Sequence, residues 1–250
     1  MIARVEWDFI SGIVTSHNLT GGRFLLMGSG EFLPWSAEAE RFALGSAATG
    51  GPVALLATAS APEGDRVFDG WGTMGLAHFE SLGLQARLVQ LKTREDASRA
   101  DLIDGIEDAS MVFFSGGNPA YLARTLDGTP FLNAITKALG AGAVFAGCSA
   151  GAMVAGARAA RPVGPAYRYV GLGLIPRVRF GVHWNRMPAF LPKEAIVSGG
   201  GRSDSFIGID ESTAIVGDGT SWRVFGLGNA EVRRLGRHTN YRAGQEFSLA

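Results

Sequence analysis

Short apolar runs alternate along the chain with stretches whose apolar residues recur at helical spacing. Phe24–Met27, Val53–Ala57, Ala86–Leu91, Met111–Phe114 and Val144–Ala146 are short and apolar on successive positions, which predicts strands buried on both faces. Between them, Ser36–Ala43 sets Ala37, Phe42 and the adjoining Leu44 near one helical face. His78–Gly83 ends in a glycine suited to the left-handed position just past a helix. Asp101–Ala109 spaces Leu102, Ile103 and Ile106 helically, and Phe131–Leu139 does the same with Phe131, Ile135 and Leu139. The alternation over residues 24 to 157 predicts an α/β fold, an open and mostly parallel sheet with helices on both faces. After it, "FIGID", "STAIV", "WRVFGLG" and "AEVRRLG" read as short strands between turns, a small β-rich C-terminal extension open to antiparallel pairing. Residues 23–250 are thus expected to form one domain, behind an extension of residues 1–22 with no evident role.

Composition narrows the function classes. At 46% hydrophobic and 18% charged residues over 250, the chain can bury a large single core. Lys+Arg and Asp+Glu both number 23, so no net field gathers nucleic acid or anionic lipid. One cysteine, Cys148, excludes an internal disulfide and any multi-cysteine metal site and fits a reducing compartment. The first 22 residues carry Arg4, Glu6 and Asp8 and lack the apolar run of a signal peptide. No stretch reaches the roughly 18 apolar residues of a membrane span, so a cytoplasmic protein is expected, in which the Asn18-Leu19-Thr20 sequon has no meaning. Glycine is frequent, 36 of 250, without a period. It follows the apolar runs, where strand-to-helix corners need close backbone approach.

Ligands of open α/β sheets bind at the carboxyl ends of the strands, which singles out Gly28-Ser29-Gly30-Glu31, Ser115-Gly116-Gly117-Asn118-Pro119 and Gly147–Gly151. The third contains Gly147-x-Ser149-x-Gly151, the pattern of a nucleophile elbow between strand and helix. Ser149 takes the tip, and Cys148, one position earlier, is expected to point into the core as a small buried thiol. A tight turn of small residues would have the same spelling. A serine needs a base, and the histidines are His17, His78, His183 and His238. His17 precedes the first strand and His78 sits in a helix-like stretch, leaving His183 and His238. For the carboxylate that orients the histidine, "FIGIDESTAIV" offers Asp210 and Glu211 between two apolar runs; Asp210 has turn-capping as its other role.

The pieces "MGSGE", "FFSGGNPAYL", "GCSAGAMV", "GLGLIPRVRFGVH" and "IGIDESTAIV", in this order over about residues 24 to 220, resemble the peptidase E and cyanophycinase family of serine exopeptidases. The resemblance implies a class I glutamine amidotransferase-like fold with serine in place of cysteine at the elbow. It implies Ser149 as nucleophile, His183 as base and, from the Glu of the GIDE motif in the cyanophycinase branch, Glu211 as the acidic member. The peptidase E branch places its acidic residue shortly after the elbow, but Arg158–Tyr167 holds no Asp or Glu. For the oxyanion the resemblance implies the N–H groups of Gly117 and Ala150. A glycine loop at one strand end and the first amides of the post-elbow helix face the same crevice.

The chain departs from the family around the substrate. Pro119 stands where Gln is usual after Gly116-Gly117-Asn118, Gly181-Val182 replaces Asp-Gln before His183, and Arg186 is one place out of register with the arginine cluster. Asp-directed dipeptidase and cyanophycinase specificities are therefore not carried over. Asn118, Trp184 and Arg186 become the candidate substrate contacts, Trp184 with Met187 and Phe190 as an apolar lining and Arg186 as a fork for a terminal carboxylate. The expectation is a serine peptidase cleaving short peptides, with no metal or organic cofactor, no nucleic acid and no membrane partner, and with a homodimer left open. Two rivals remain. One is an α/β-hydrolase-type esterase ordered Ser149, Glu211 or Asp218, His238; the other is a non-catalytic amidotransferase-like binding module.

Overall fold

The computed structural model describes residues 23–157, 171–188, 193–198 and 205–249. Residues 1–22 with His17, residues 158–170, and Phe190 lie outside the described residues. Five strands run parallel: β1 (Arg23–Met27), β2 (Val53–Leu56), β3 (Ala86–Leu88), β4 (Met111–Phe114) and β5 (Val144–Cys148). Between and after them come α1 (Ala37–Leu44), α2 (Asp65–Ser81), α3 (Ala100–Glu107), α4 (Pro119–Leu126), α5 (Pro130–Gly140) and α6 (Ala150–Ala155). Then follow β6 (Val178–Gly181), α7 (Lys193–Ser198), β7 (Ser205–Ile209), β8 (Thr213–Gly217), β9 (Ser221–Gly226), β10 (Asn229–Arg234), β11 (Arg237–Arg242) and β12 (Glu246–Ser248).

Alternation along each central strand explains the unbroken apolar runs. Phe24 and Leu26 face one side of the sheet, where they join Phe114, Phe145, Ile106, Phe131 and Ile135 in one core cluster. Leu25 and Met27 face the other, joining Phe113, Cys148, Ala39 and Phe79. Successive side chains of a strand point to opposite faces, so a strand covered by helices on both faces has no polar position to show. The helix predictions hold for α3 and α5, and Gly83 (φ 74°) follows α2 as the left-handed residue, its N–H donating to the Glu80 carbonyl. In α1 the buried face differs from the expected one. Ala39, Glu40 and Ala43 are buried, while Phe42 is 39% exposed and packs against Phe225. A glutamate turns inward because Ser36 Oγ–H donates to its Oε1 and His78 Nε2 lies 2.6 Å from its Oε2, a pairing that a count of apolar residues discards. The strand expected over Ala86–Leu91 ends at Leu88; Leu91 N–H donates to the Val89 carbonyl, which turns the chain.

The C-terminal strands are more integral than an extension. The main sheet has the order β12-β9-β8-β1-β5-β4-β2-β3, with β8 antiparallel to β1. The remaining strands form a second sheet, β11-β10-β7-β6, in which β6 and β7 are parallel. The chain therefore crosses from one sheet to the other between β7 and β8, and Asp210–Ser212 make that crossing beside the end of β1. Among the described residues no helix is long and apolar enough to cross a membrane.

Candidate active site

Ser149 is the hinge of a β5–turn–α6 elbow. Its backbone, at φ 49° and ψ −109°, lies in a region that costs a residue with a Cβ about 1–3 kcal/mol. Hydrogen bonds hold it there, Ser149 N–H to the Met27 carbonyl and Met153 N–H to the Ser149 carbonyl, both at 3.0 Å. The flanking glycines are steric necessities. A Cβ on Gly147 would lie 2.3 Å from the Gly151 carbonyl carbon, and one on Gly151 2.3 Å from the Phe114 oxygen. Cys148 is fully buried. Burial, and then the neighbouring Glu31 carboxylate, push its thiol well above the ordinary value, so it does not supply the thiolate that a cysteine nucleophile requires.

His183 comes to Ser149 from β6. Past Gly181 the backbone turns left-handed at His183 (φ 50°) and enters a turn closed by Arg186 N–H donating to the His183 carbonyl. Trp184 anchors the turn. Its ring lies over Gly208, where a Cβ would be 2.5 Å from it, packs on Phe206 with centroids 4.9 Å apart, and its indole N–H donates to Glu231 at 2.7 Å. His183 Nε2 is then 3.0 Å from Ser149 Oγ and its Nδ1 3.3 Å from Glu211 Oε1. The network assigns the tautomer: Nδ1–H toward the carboxylate, Nε2 accepting from the hydroxyl.

Glu211 is placed by the crossing between β7 and β8. Its N–H donates to Asn185 Oδ1, and Arg186 Nε–H donates to its Oε2 at 3.1 Å. The hydrogen bond with His183, and then that from Arg186, hold its carboxyl below the ordinary glutamate range. The crossing lies so close to the β1 loop that a Cβ on Gly28 would sit 2.0 Å from the Asp210 oxygen. Asp210 is buried, with Oδ2 accepting from the backbone and side-chain amides of Asn229; it ties the end of β7 to the start of β10.

Several expected contacts are placed elsewhere. Trp184 is 1% exposed, a packing residue rather than a pocket wall, because its polar edge is satisfied inside by Glu231. Arg186 bonds Glu211 through Nε with its side chain 74% exposed, and Asn118 caps α4 by accepting from Tyr121 N–H. His238 is exposed on the edge strand β11, and Asp218 accepts from the amides of Thr220 and Ser221, a turn cap. His78 is buried against Glu40. Gly117 has φ 138°, and a Cβ there would be 2.5 Å from the Ala59 carbonyl, so only glycine fits; Ala150 opens α6. Glu31, named only as part of a loop, is buried and bonds both Gly116 and Cys148. A carboxylate within the short glycine loop at the end of a buried strand was the signal that it has partners. Among the described residues no group of three His, Cys, Asp or Glu side chains could hold a metal ion.

The family model of peptidase family S51 matches residues 25–225. The chain belongs to peptidase family S51. Two cyanophycinases, from Trichormus variabilis and Nostoc sp., are each 31% identical to it over 168 residues, 62% of this chain. The chain spans about half the length of these curated relatives, 55%. Among solved structures, a peptidase from an acI-B1 actinobacterium superposes with a TM-score of 0.79 at 30% identity, over 91% of this chain and 96% of the other. A candidate peptidase E protein from Listeria monocytogenes EGD-e gives a TM-score of 0.60 at 19% identity, over 82% and 98%, a likeness of fold.

Proposed function

We propose that this S51 protein is a serine exopeptidase of dipeptidase type, acting in the cytoplasm on short peptides through an acyl-enzyme on Ser149. The observation that carries this is the continuous contact from Ser149 Oγ to His183 at 3.0 Å and from His183 to Glu211 at 3.3 Å. Ser149 Oγ adds to the peptide carbonyl carbon as its proton moves to His183 Nε2. Glu211 holds the imidazole in the required tautomer and stabilises the imidazolium. The carbonyl oxygen, now an oxyanion, is taken by the N–H groups of Gly117 and Ala150, donors whose individual loss costs roughly 10²–10³-fold in rate. Collapse breaks the C–N bond, and His183 gives its proton to the leaving amine. Water then attacks the ester, His183 removing its proton and returning one to Ser149 Oγ as the acid leaves.

The test is labelling with an active-site serine phosphonate, followed by mass-spectrometric screening of defined di- and tripeptides. Wild type is expected to take up one label and Ser149→Ala none, with turnover reduced at least ~10⁴-fold; unchanged labelling of Ser149→Ala removes the assignment. The esterase order gives a second discrimination. His183→Ala is expected to lose at least ~10³-fold in kcat/KM and His238→Ala to stay within about 3-fold, as for an exposed residue away from the chemistry. Protein that neither reacts with phosphonate nor cleaves any peptide favours the binding module.

A further inference from the structure

Glu31 is a buried carboxylate outside the proposed relay. It is 8% exposed and sits four residues past the end of β1. Its Oε1 accepts the Gly116 N–H at 2.9 Å and its Oε2 accepts the Cys148 S–H at 2.8 Å. Gly116 lies just beyond β4 and Cys148 ends β5, so one side chain joins the ends of three strands adjacent in the order β1-β5-β4. Burying a carboxylate is costly unless its oxygens are bonded, and bonds from N–H to an ionised acceptor are short and strong. The protonated state that burial imposes on Cys148 makes the thiol a donor to Glu31.

The tether holds the one amide, that of Gly116, between two residues already fixed by backbone hydrogen bonds. Gly116 and Gly117 lack the Cβ that restricts a backbone, yet the carbonyl donor proposed above is the Gly117 N–H. On its far side the loop is fixed by Asn118 N–H donating to the Ala59 carbonyl at 2.8 Å. On its near side Ser115 N–H donates to the Leu56 carbonyl at 3.0 Å, and Glu31 holds the next amide, that of Gly116. A Cβ on Gly116 would be only 3.6 Å from Ser149 Cβ, so the tethered peptide abuts the serine.

We propose that Glu31 is a positioning residue for the oxyanion loop, holding Gly116 so that Gly117 presents its N–H to the carbonyl attacked by Ser149. The proposal rests on the peptidase function above. An oxyanion donor acts in the transition state more than in the ground state, so its misplacement lowers kcat and leaves KM in place. With the best wild-type peptide, Glu31→Ala and the shorter Glu31→Asp are expected to lower kcat about 10²-fold with KM within about 3-fold. Glu31→Gln, whose amide oxygen still accepts from Gly116, is expected to retain kcat within ~10-fold. The sole cysteine provides a reading that needs no turnover. Its infrared S–H stretch in wild type is expected at the lowered frequency of a thiol donating to a carboxylate, moving up in Glu31→Gln. Full kcat in a folded Glu31→Asp, a loss confined to KM, Glu31→Gln as impaired as Glu31→Asp, or a wild-type S–H band at the unbonded position each overturns the proposal. A wild type inert to phosphonate and peptides ends both proposals; an active wild type with any of those results ends only this one.

Discussion

Cys148 and Ser149 are neighbours with opposite fates because one backbone step separates a strand end from a hinge. The thiol, still in the β5 ladder, points into the core facing α1 and α2, while the hydroxyl projects from the turn toward His183. Arg186 shows the same dependence on single contacts. The sequence suggests a substrate grip, whereas the structure bonds it to Glu211. That contact has a pH signature. The folded-state carboxyl of Glu211 is lowered, so its contribution to stability is present above the unfolded-state value near ~4.3 and is lost as pH falls through the lower folded value. Arg186→Gln removes one cause of that lowering. Urea unfolding is expected to find the variant less stable than wild type at pH 7, with the difference closing below about pH 4; an equal difference at both pH values would contradict the contact.

At the level of elements, the imidazole is placed by packing several residues away. Trp184 has space for its ring because β6 and β7 present glycine beneath it: a Cβ at Gly181 would lie 3.0 Å from the ring and one at Gly208 2.5 Å. Gly208→Ala is expected to displace Trp184 and with it the turn that carries His183. Forcing one methyl into a packed site costs about 1–3 kcal/mol, or roughly 2–4 °C of Tm per kcal/mol in a chain of this size. Calorimetry should show that drop together with reduced kcat, whereas an exposed-loop glycine such as Gly244 replaced by Ala should leave kcat unchanged. The difference between expected and observed faces of α1 belongs here too. Hydrophobic spacing found the helix, but Glu40 is buried through partners on α2 and in the preceding turn, which no local pattern contains.

Across the whole molecule, the C-terminal third, read from the sequence as a small β-rich extension, supplies β8, β9 and β12 to the main sheet. β8 lies between β1 and β9, and Ile215 within it is fully buried in the same cluster as Phe24 and Phe145. Ile215→Ala is therefore expected to destabilise the α/β unit itself, by about 2–5 kcal/mol. Urea transitions followed by tryptophan fluorescence and by far-UV circular dichroism should shift together; non-coincident transitions would mean that the molecule does not unfold as one unit. Glu211 belongs to the same scale, because its crossing between sheets is held by Gly28 N–H donating to the Thr213 carbonyl and Ser29 accepting from Ser212 N–H. The first strand loop and the last third thus meet at one end of the sheet.

Sequence by itself determined the five parallel strands, β3 excepted at its end, the α3 and α5 faces and the elbow spelling. These follow from local rules: a strand covered on both faces is apolar throughout, a helix repeats every 3.6 residues, and a strained corner needs glycine on each side. His183 was separated from His238 only by resemblance, since spacing along a chain says nothing about which loops share a sheet end. Tertiary structure alone decided the inward turn of Trp184, the attachment of Arg186 to Glu211, the bond of Asp210 to Asn229 and the two bonds of Glu31 that join three strand ends. In each of these a polar atom is satisfied by a partner distant in sequence, and a buried polar group takes whichever partner the packing brings within hydrogen-bond reach.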